Sequence, residues 1–176
     1  MAASKFEVEL ESKTSPEKLW KNLKEFVTLF PKAMPDVYQG IEVIEGDGRS
    51  AGSIFVSTMK PSETKPVASI SKERIEIVDD EKKILSFTFL EGEFSENYKN
   101  LKVEISGGRG TKSGALVKYT SEFNKANEKV LDPNLFKGYV VKLVTDVDDY
   151  LLKKVMRTFF HTKKKGEEKM FAFVIS

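Results

Sequence analysis

The chain of 176 residues contains no cysteine. That absence removes disulfide frameworks, thiolate zinc sites and thiol nucleophiles together, and it suits a reducing, cytoplasmic setting. Histidine occurs once, at His161, so there is no histidine pair for general acid–base work. No nucleophile-elbow motif offers that histidine a serine, and at the basic end of a helical stretch it reads as a surface residue. An excess of one charge is missing too: 29 lysines and arginines stand against 27 aspartates and glutamates, a net +2. Nucleic-acid binders usually carry a strong basic patch. The densest run here, HTKKK at 161–165, is followed directly by GEE and reads as a solvated helix end. No apolar stretch approaches the ~18 residues that cross a bilayer, and MAASKFEVEL at the start has no signal-peptide core. What remains is a cytoplasmic chain of one domain, without nucleic acid or membrane insertion.

What is present is patterned. KFEVELES alternates Phe6, Val8 and Leu10 against glutamates, a strand with one dry face. The period then changes to helical in TSPEKLWKNLKEFVTLF, with Leu19, Leu23, Phe26 and Phe30 on one side. Its start is either Ser15 as N-cap before Pro16, or a capping box of Thr14 and Glu17. Pro31 and Pro35 are expected to end it after about three turns, leaving a short second helix or turn. From Tyr38 to Phe123 six strand-like runs follow: YQGIEVIE, GSIFVSTM, VASISKERIEIVD, KILSFTFLEGEF, YKNLKVEIS and GALVKYTSEF. Turn chemistry divides them at GDGRSAG, PSETKP, DDEKK and GGRGTKSG, so neighbours should be antiparallel hairpins. Asp132 and Pro133 then open a long helix whose apolar stripe is Phe136, Val140, Leu143, Val147, Tyr150 or Leu151, and Val155. The class is α+β, one antiparallel sheet with a long helix across it.

A sheet of seven strands has more apolar face than one helix covers, so either an ordinary packed core or a ligand cavity lies between them. The chain carries 13 Phe and 5 Tyr, many at alternate strand positions. Ring packing alone accounts for them in the first case. In the second, tyrosine hydroxyls at Tyr98, Tyr119 and Tyr139 act as the few polar handles of an apolar site.

The order of elements, the hairpin IEVIEGDGRSAGSI, the stretch FSENYKNLKVEI and the helix DPNLFKGYVVKLVTDVDDYLLK resemble the major latex proteins. These are plant relatives of the birch pollen allergen and of the pathogenesis-related class-ten proteins. The resemblance runs from about Lys5 to about Lys163, leaving 164–176 as an extension. It implies a helix-grip, START-like fold: a seven-stranded curved antiparallel sheet wrapped around the C-terminal helix, with two short helices after the first strand. It also implies a large hydrophobic cavity, and a plant-defence setting in which relatives bind flavonoids, cytokinins, steroids, fatty acids or alkaloids. Some relatives catalyse steps of specialised metabolism, and receptor-like relatives dock a protein partner after binding ligand.

The expectation is a monomeric carrier of a small hydrophobic molecule, lipid-like ligands included, working without a cofactor. Its expected lining is Phe55, Phe87, Phe89, Tyr98, Tyr119, Phe136, Tyr139 and Leu143. The alternatives are an isomerase or condensing enzyme using the same cavity, and a ligand-dependent interaction module. The enzyme reading points to Lys118, since condensing relatives use a cavity lysine on a comparable strand, yet alternation turns Lys118 outward and Val117 and Tyr119 inward.

The glycine-rich loop, with Gly46, Asp47, Gly48, Arg49 and Gly52, invites a phosphate. It lacks the lysine of a Walker loop and joins two strands rather than a strand and a helix. Its glycines read as positive-φ positions of a turn. A ribonuclease role attributed to relatives uses a lysine in this loop, where Arg49 stands. Asp146, Asp148 and Asp149 lack the spacing of a calcium loop, so no metal site is expected and a solvated acidic face is. Past the helix, GEEKMFAFVIS reads either as a frayed tail or as a cap over the cavity mouth.

Overall fold

A computed structural model describes residues 3–63, 68–130 and 134–163, with side chains of the last helix described over 136–153. The elements follow in order: β1 (Ser4–Ser12), α1 (Pro16–Leu23), α2 (Phe26–Ala33), β2 (Tyr38–Glu45), β3 (Ile54–Met59) and β4 (Ser69–Asp79). They continue with β5 (Ile84–Gly92), α3 (Glu93–Asn97), β6 (Tyr98–Gly110), β7 (Ala115–Lys125) and α4 (Asn134–Lys163). The strands form one antiparallel sheet in the order β1-β7-β6-β5-β4-β3-β2. β2 follows the helices, not β1, so the two early strands become opposite edges of the sheet. The expected architecture is borne out.

Three local expectations are corrected. The helical stretch breaks at Lys24 and Glu25, not at Pro31, which lies inside α2. The break lets Leu19, Trp20 and Leu23 bury on β6 while Phe26, Leu29 and Phe30 bury towards β2 and α4. Pro31 forfeits one backbone bond, but the last turn of α2 still closes through Met34 N–H to the Phe30 carbonyl at 2.8 Å. The second correction is α3, a five-residue helix between β5 and β6, whose first two residues, Glu93 and Phe94, the pattern assigns to the end of the preceding strand. It begins after Gly92, whose φ of 113° is open to glycine and sits directly on the Ile70 carbonyl. Third, β6 runs on through Gly110, which the sequence reading assigned to the following turn. Of the two caps left open for α1, Ser15 takes the role, accepting from Lys18 N–H.

α4 spans 30 residues, about 45 Å at 1.5 Å per residue. It packs on β1 and α2, burying Phe136, Val140, Leu143, Val144, Val147 and Leu151. Leu151 is buried and Tyr150 only partly so, which decides the pair left open at that turn. Asp148 corrects the solvated acidic face. It is buried, and its carboxylate accepts from the Ser12 hydroxyl at 2.6 Å, the Lys13 amide at 2.8 Å and the Thr14 hydroxyl at 2.8 Å. Asp146 pairs instead with Lys142 at 2.7 Å, and Lys142 also reaches Asp36 at 2.8 Å. The start signal at Asp132 and Pro133, the side chain of His161 and the extension from 164 onward lie outside the described residues.

Candidate functional site

The inward face of the sheet is built by alternation. β7 turns in Val117, Tyr119, Ser121 and Phe123, and β6 turns in Leu101, Val103 and Ile105. Phe55 of β3 and Phe87 of β5 meet edge-on at 5.5 Å, and Phe26 of α2 closes on each of them at 4.9 Å. A second ring group lies towards the start of α4. Tyr98 packs on Phe123 at 5.2 Å and on Phe136 at 5.5 Å, and Phe94 of α3 bridges Phe136 and Phe89. Offset and edge-on packing of this kind is favourable in itself. Leu143 belongs elsewhere: with Leu19, Leu23, Ile105, Val117 and Val147 it lines a small apolar pocket of about 10 Å³, room for about one water. So six of the eight expected lining residues divide between these three places, while Tyr119, inward on β7, and Tyr139, on α4, stand apart from them.

Between the ring groups lies a feature the sequence reading did not single out. Glu73 of β4 is 7% exposed. Its neighbours across the sheet are Phe55 of β3 and Phe89 of β5. The Ser71 hydroxyl donates to it at 2.7 Å, and Ser57 supplies a second hydroxyl. Beside it the β4–β5 register slips, with Leu90 as the extra residue between the pairs Lys72–Glu91 and Glu73–Phe89. Such bulges bend a strand and re-aim side chains next to sites. Burial raises the Glu73 carboxyl to about 7, against the lowering effect of its two serines.

Three tyrosines feel that carboxyl. Tyr38 of β2 and Tyr139 of α4 join their hydroxyls at 2.6 Å. Tyr119 stands on the inward face of β7. All three phenols are raised above their ordinary value, first by burial, with the charge of Glu73 adding to it. Part of the Tyr139 ring reaches solvent while its hydroxyl end does not. The Ser121 hydroxyl is fully buried on the same strand as Tyr119 and has no hydrogen-bond partner. A buried unpaired hydroxyl costs about 1–3 kcal/mol, so this interior has polar capacity in hand.

Lys118 is not part of it. Its ammonium pairs with Glu7 of β1 at 3.1 Å on the outer face, 43% exposed. The hydrogen bond to Glu7 raises the lysine, the opposite of what a catalytic base needs.

The glycine-rich loop is likewise complete without a guest. Gly46, Gly48 and Gly52 have φ of 81°, 73° and 91°, the positive region expected of the turn. At Gly48 a Cβ would also lie 2.6 Å from Val43. The Asp47 carboxylate accepts from the Arg49 amide at 2.8 Å and the Ser50 amide at 2.7 Å, and from the hydroxyls of Ser50 and Ser53. Those bonds, the Arg49 amide first, hold it well below the usual carboxylate range. It therefore fills the anion position that a phosphate would need. Arg49 itself turns to Glu25 at 3.0 Å.

A curved seven-stranded antiparallel sheet, two short helices after its first strand and a long C-terminal helix across its concave face define a helix-grip protein. Residues 1–154 match the pathogenesis-related protein Bet v 1 family, and the chain belongs to it. MLP-like protein 423 of Arabidopsis thaliana is 41% identical over 147 residues, covering 84% of this chain and 93% of that protein. MLP-like protein 31 of the same plant is 31% identical over 153 residues, covering 85% and 86%. The resemblance to major latex proteins is thereby borne out. Among solved structures, major latex-like protein 151 of Panax ginseng superposes with a TM-score of 0.74 at 23% identity, over 84% of this chain and 97% of that one. Norcoclaurine synthase of Thalictrum flavum, in complex with dopamine and hydroxybenzaldehyde, gives 0.71 at 22% identity, over 86% and 88%. At such identities these two establish the shared fold. Among the described residues no helix is long and apolar enough to cross a membrane.

Proposed function

We propose that this chain binds and carries small hydrophobic molecules in the interior between its sheet and α4, as a single domain working in the cytoplasm. The family it belongs to supports the reading, since ligand binding is the family's common property. The observation that carries it is Glu73, a carboxyl withdrawn from water among phenylalanine rings, with Tyr38, Tyr119 and Tyr139 coupled to it. A core selected only for packing gains nothing from an acid there, because burying a charge or an unpaired polar group is unfavourable. A site that must orient a guest does gain, since it needs a few polar groups on an apolar wall. Apolar burial at roughly 25 cal/mol per Å² would supply most of the affinity. The rings of Phe55, Phe87, Phe89, Tyr98 and Phe136 are the apolar wall in this reading, and Leu143 stays with the separate small pocket under α4.

The enzyme alternative through Lys118 has no such support, because that lysine is already engaged with Glu7 on the opposite face. A panel of steroids, flavonoids, fatty alcohols and the neutral fluorophore N-phenyl-1-naphthylamine tests the carrier reading. Saturable one-to-one binding of the fluorophore, with displacement by at least one other compound, is the expected result. No saturable binding by any of them would overturn it.

A further inference from the structure

We propose that the interior selects guests whose polar end is an ammonium or another N–H donor and discriminates against carboxylates, with Glu73 as the selecting residue. This rests on the carrier reading above and narrows its ligand class.

The first support is an imbalance of charge. The buried polar side chains among the described residues are serines, Thr14, Glu73 and Asp148, and no lysine, arginine or histidine is with them. A fatty acid brought into such an interior has no cation to meet. It meets a second carboxyl instead, and two neighbouring carboxylates cannot both stay ionised.

The second is that only one of the two buried acids is free to act. Asp148 is committed to three donors from the β1–α1 segment. Glu73 has two serine donors, and a carboxylate offers about four lone-pair sites. An ammonium carries up to three donors and no acceptor, so it complements the unused capacity. The same contact is charge-assisted and made out of water, where such bonds are about twice as strong as neutral ones.

The third is position. Glu73 stands beside the bulge at Leu90 and on the row that includes Phe55 and Phe89, so a guest's apolar body can lie on rings while its head reaches the acid. The unpartnered Ser121 hydroxyl offers a further acceptor on the inward face.

Protonation follows from the same set of groups. The titratable groups coupled to Glu73 are Tyr38 of β2, Tyr119 of β7 and Tyr139 of α4, all raised and therefore neutral near pH 7. Its other neighbours, Ser57, Phe55 and Phe89, do not titrate. Glu73 itself changes charge near pH 7. An ammonium bound at pH 6 therefore expels the proton from Glu73, whereas an alcohol leaves it in place.

Three probes with one apolar body and different heads test this: dodecylamine, dodecanol and dodecanoate, each below its micelle concentration. Calorimetric titration is done at pH 6 and pH 8 on the native chain and on Glu73→Gln. At pH 8 the amine should bind about tenfold tighter than the alcohol, the worth of one charge-assisted contact, and dodecanoate weaker than both. In Glu73→Gln the amine should lose that advantage while the alcohol keeps its affinity. At pH 6, titrations in buffers of different ionisation enthalpy should show the native chain releasing close to one proton per amine bound and none per alcohol. The proton count needs no variant, so it stands even if Glu73→Gln folds poorly. Dodecanoate binding as tightly as the amine, or an amine preference that survives in Glu73→Gln, or amine binding without proton release, would each overturn the selectivity while leaving the carrier reading intact. If none of the three binds, the carrier reading falls and the selectivity with it.

Discussion

Asp148 and Glu73 are carboxyls withdrawn from water to a similar degree, 5% and 7% exposed, and they are held in opposite ways. Asp148 gathers donors from Ser12, Lys13 and Thr14, so it fastens α4 to a segment far away in sequence. Glu73 takes its donors from Ser71 on its own strand and Ser57 on the strand beside it. Those strands are already joined by the sheet, so Glu73 fastens nothing new. The difference separates two uses of a buried acid. One is saturated and spans elements, which makes it a staple. The other is under-supplied with donors and stands on an apolar wall, which leaves it available to a guest.

The sharpest way to break that comparison is to remove each acid in turn. Asp148→Ala leaves three donors without their acceptor and should lower stability by about 4 kcal/mol, read as a fall in the urea midpoint. Glu73→Gln at pH 6, where the acid is mostly protonated, should shift the midpoint by less than about 1 kcal/mol. A loss at Glu73 as large as at Asp148 would erase the distinction.

Next in size is the response to pH. The Glu73 carboxyl titrates near 7 in the folded chain against an ordinary value of 4.5, because burial opposes its charge. Between those values the folded chain holds a proton that the unfolded chain has released. The contribution is whole below about pH 4.5, declines as pH rises, and is gone above about pH 7, a change of about 3 kcal/mol. Urea midpoints of the native chain and Glu73→Gln should therefore diverge from pH 5 to pH 8 in favour of the variant. A difference that stays constant over that range would contradict the burial of an ionisable Glu73.

Smaller effects test the edges of the site. Tyr139→Phe removes the 2.6 Å bond to Tyr38 and should cost about 1 kcal/mol in the same assay. Lys118→Ala should change neither stability nor probe binding measurably, because its partnership with Glu7 is exposed to water. A loss of binding in Lys118→Ala would bring that lysine back into the interior.

Much of this architecture was legible in the chain. Alternation located β2 over Tyr38–Glu45 to the residue and turned Phe55, Phe87 and Tyr119 inward, because their strands present one dry face. The helical stripe located α4 for the same reason at a different period. Where apolar pattern and burial part company, reading failed. In SISKERIEIVD the exposed residues include Ile70 and Ile77, while Ser71 and Glu73 are buried. Counting back by twos from Ile75 would have put Glu73 on the dry face, but a bulge at Glu76 reverses the face before Ile77 and hides the pattern. Asp148 was missed because a staple depends on where Ser12 and Thr14 arrive, more than a hundred residues away in sequence. The break between α1 and α2 was misplaced because packing on two parts of the sheet, not proline, decides it.

The central claim is that a small apolar molecule enters between the sheet and α4 beside Glu73. The chain has five tyrosines, so selective ¹³C labelling of their rings gives a spectrum of five reporters. Under titration with N-phenyl-1-naphthylamine, the rings of Tyr38, Tyr119 and Tyr139 should shift together and saturate at one equivalent. Saturating fluorophore that leaves those three rings unmoved would contradict the account.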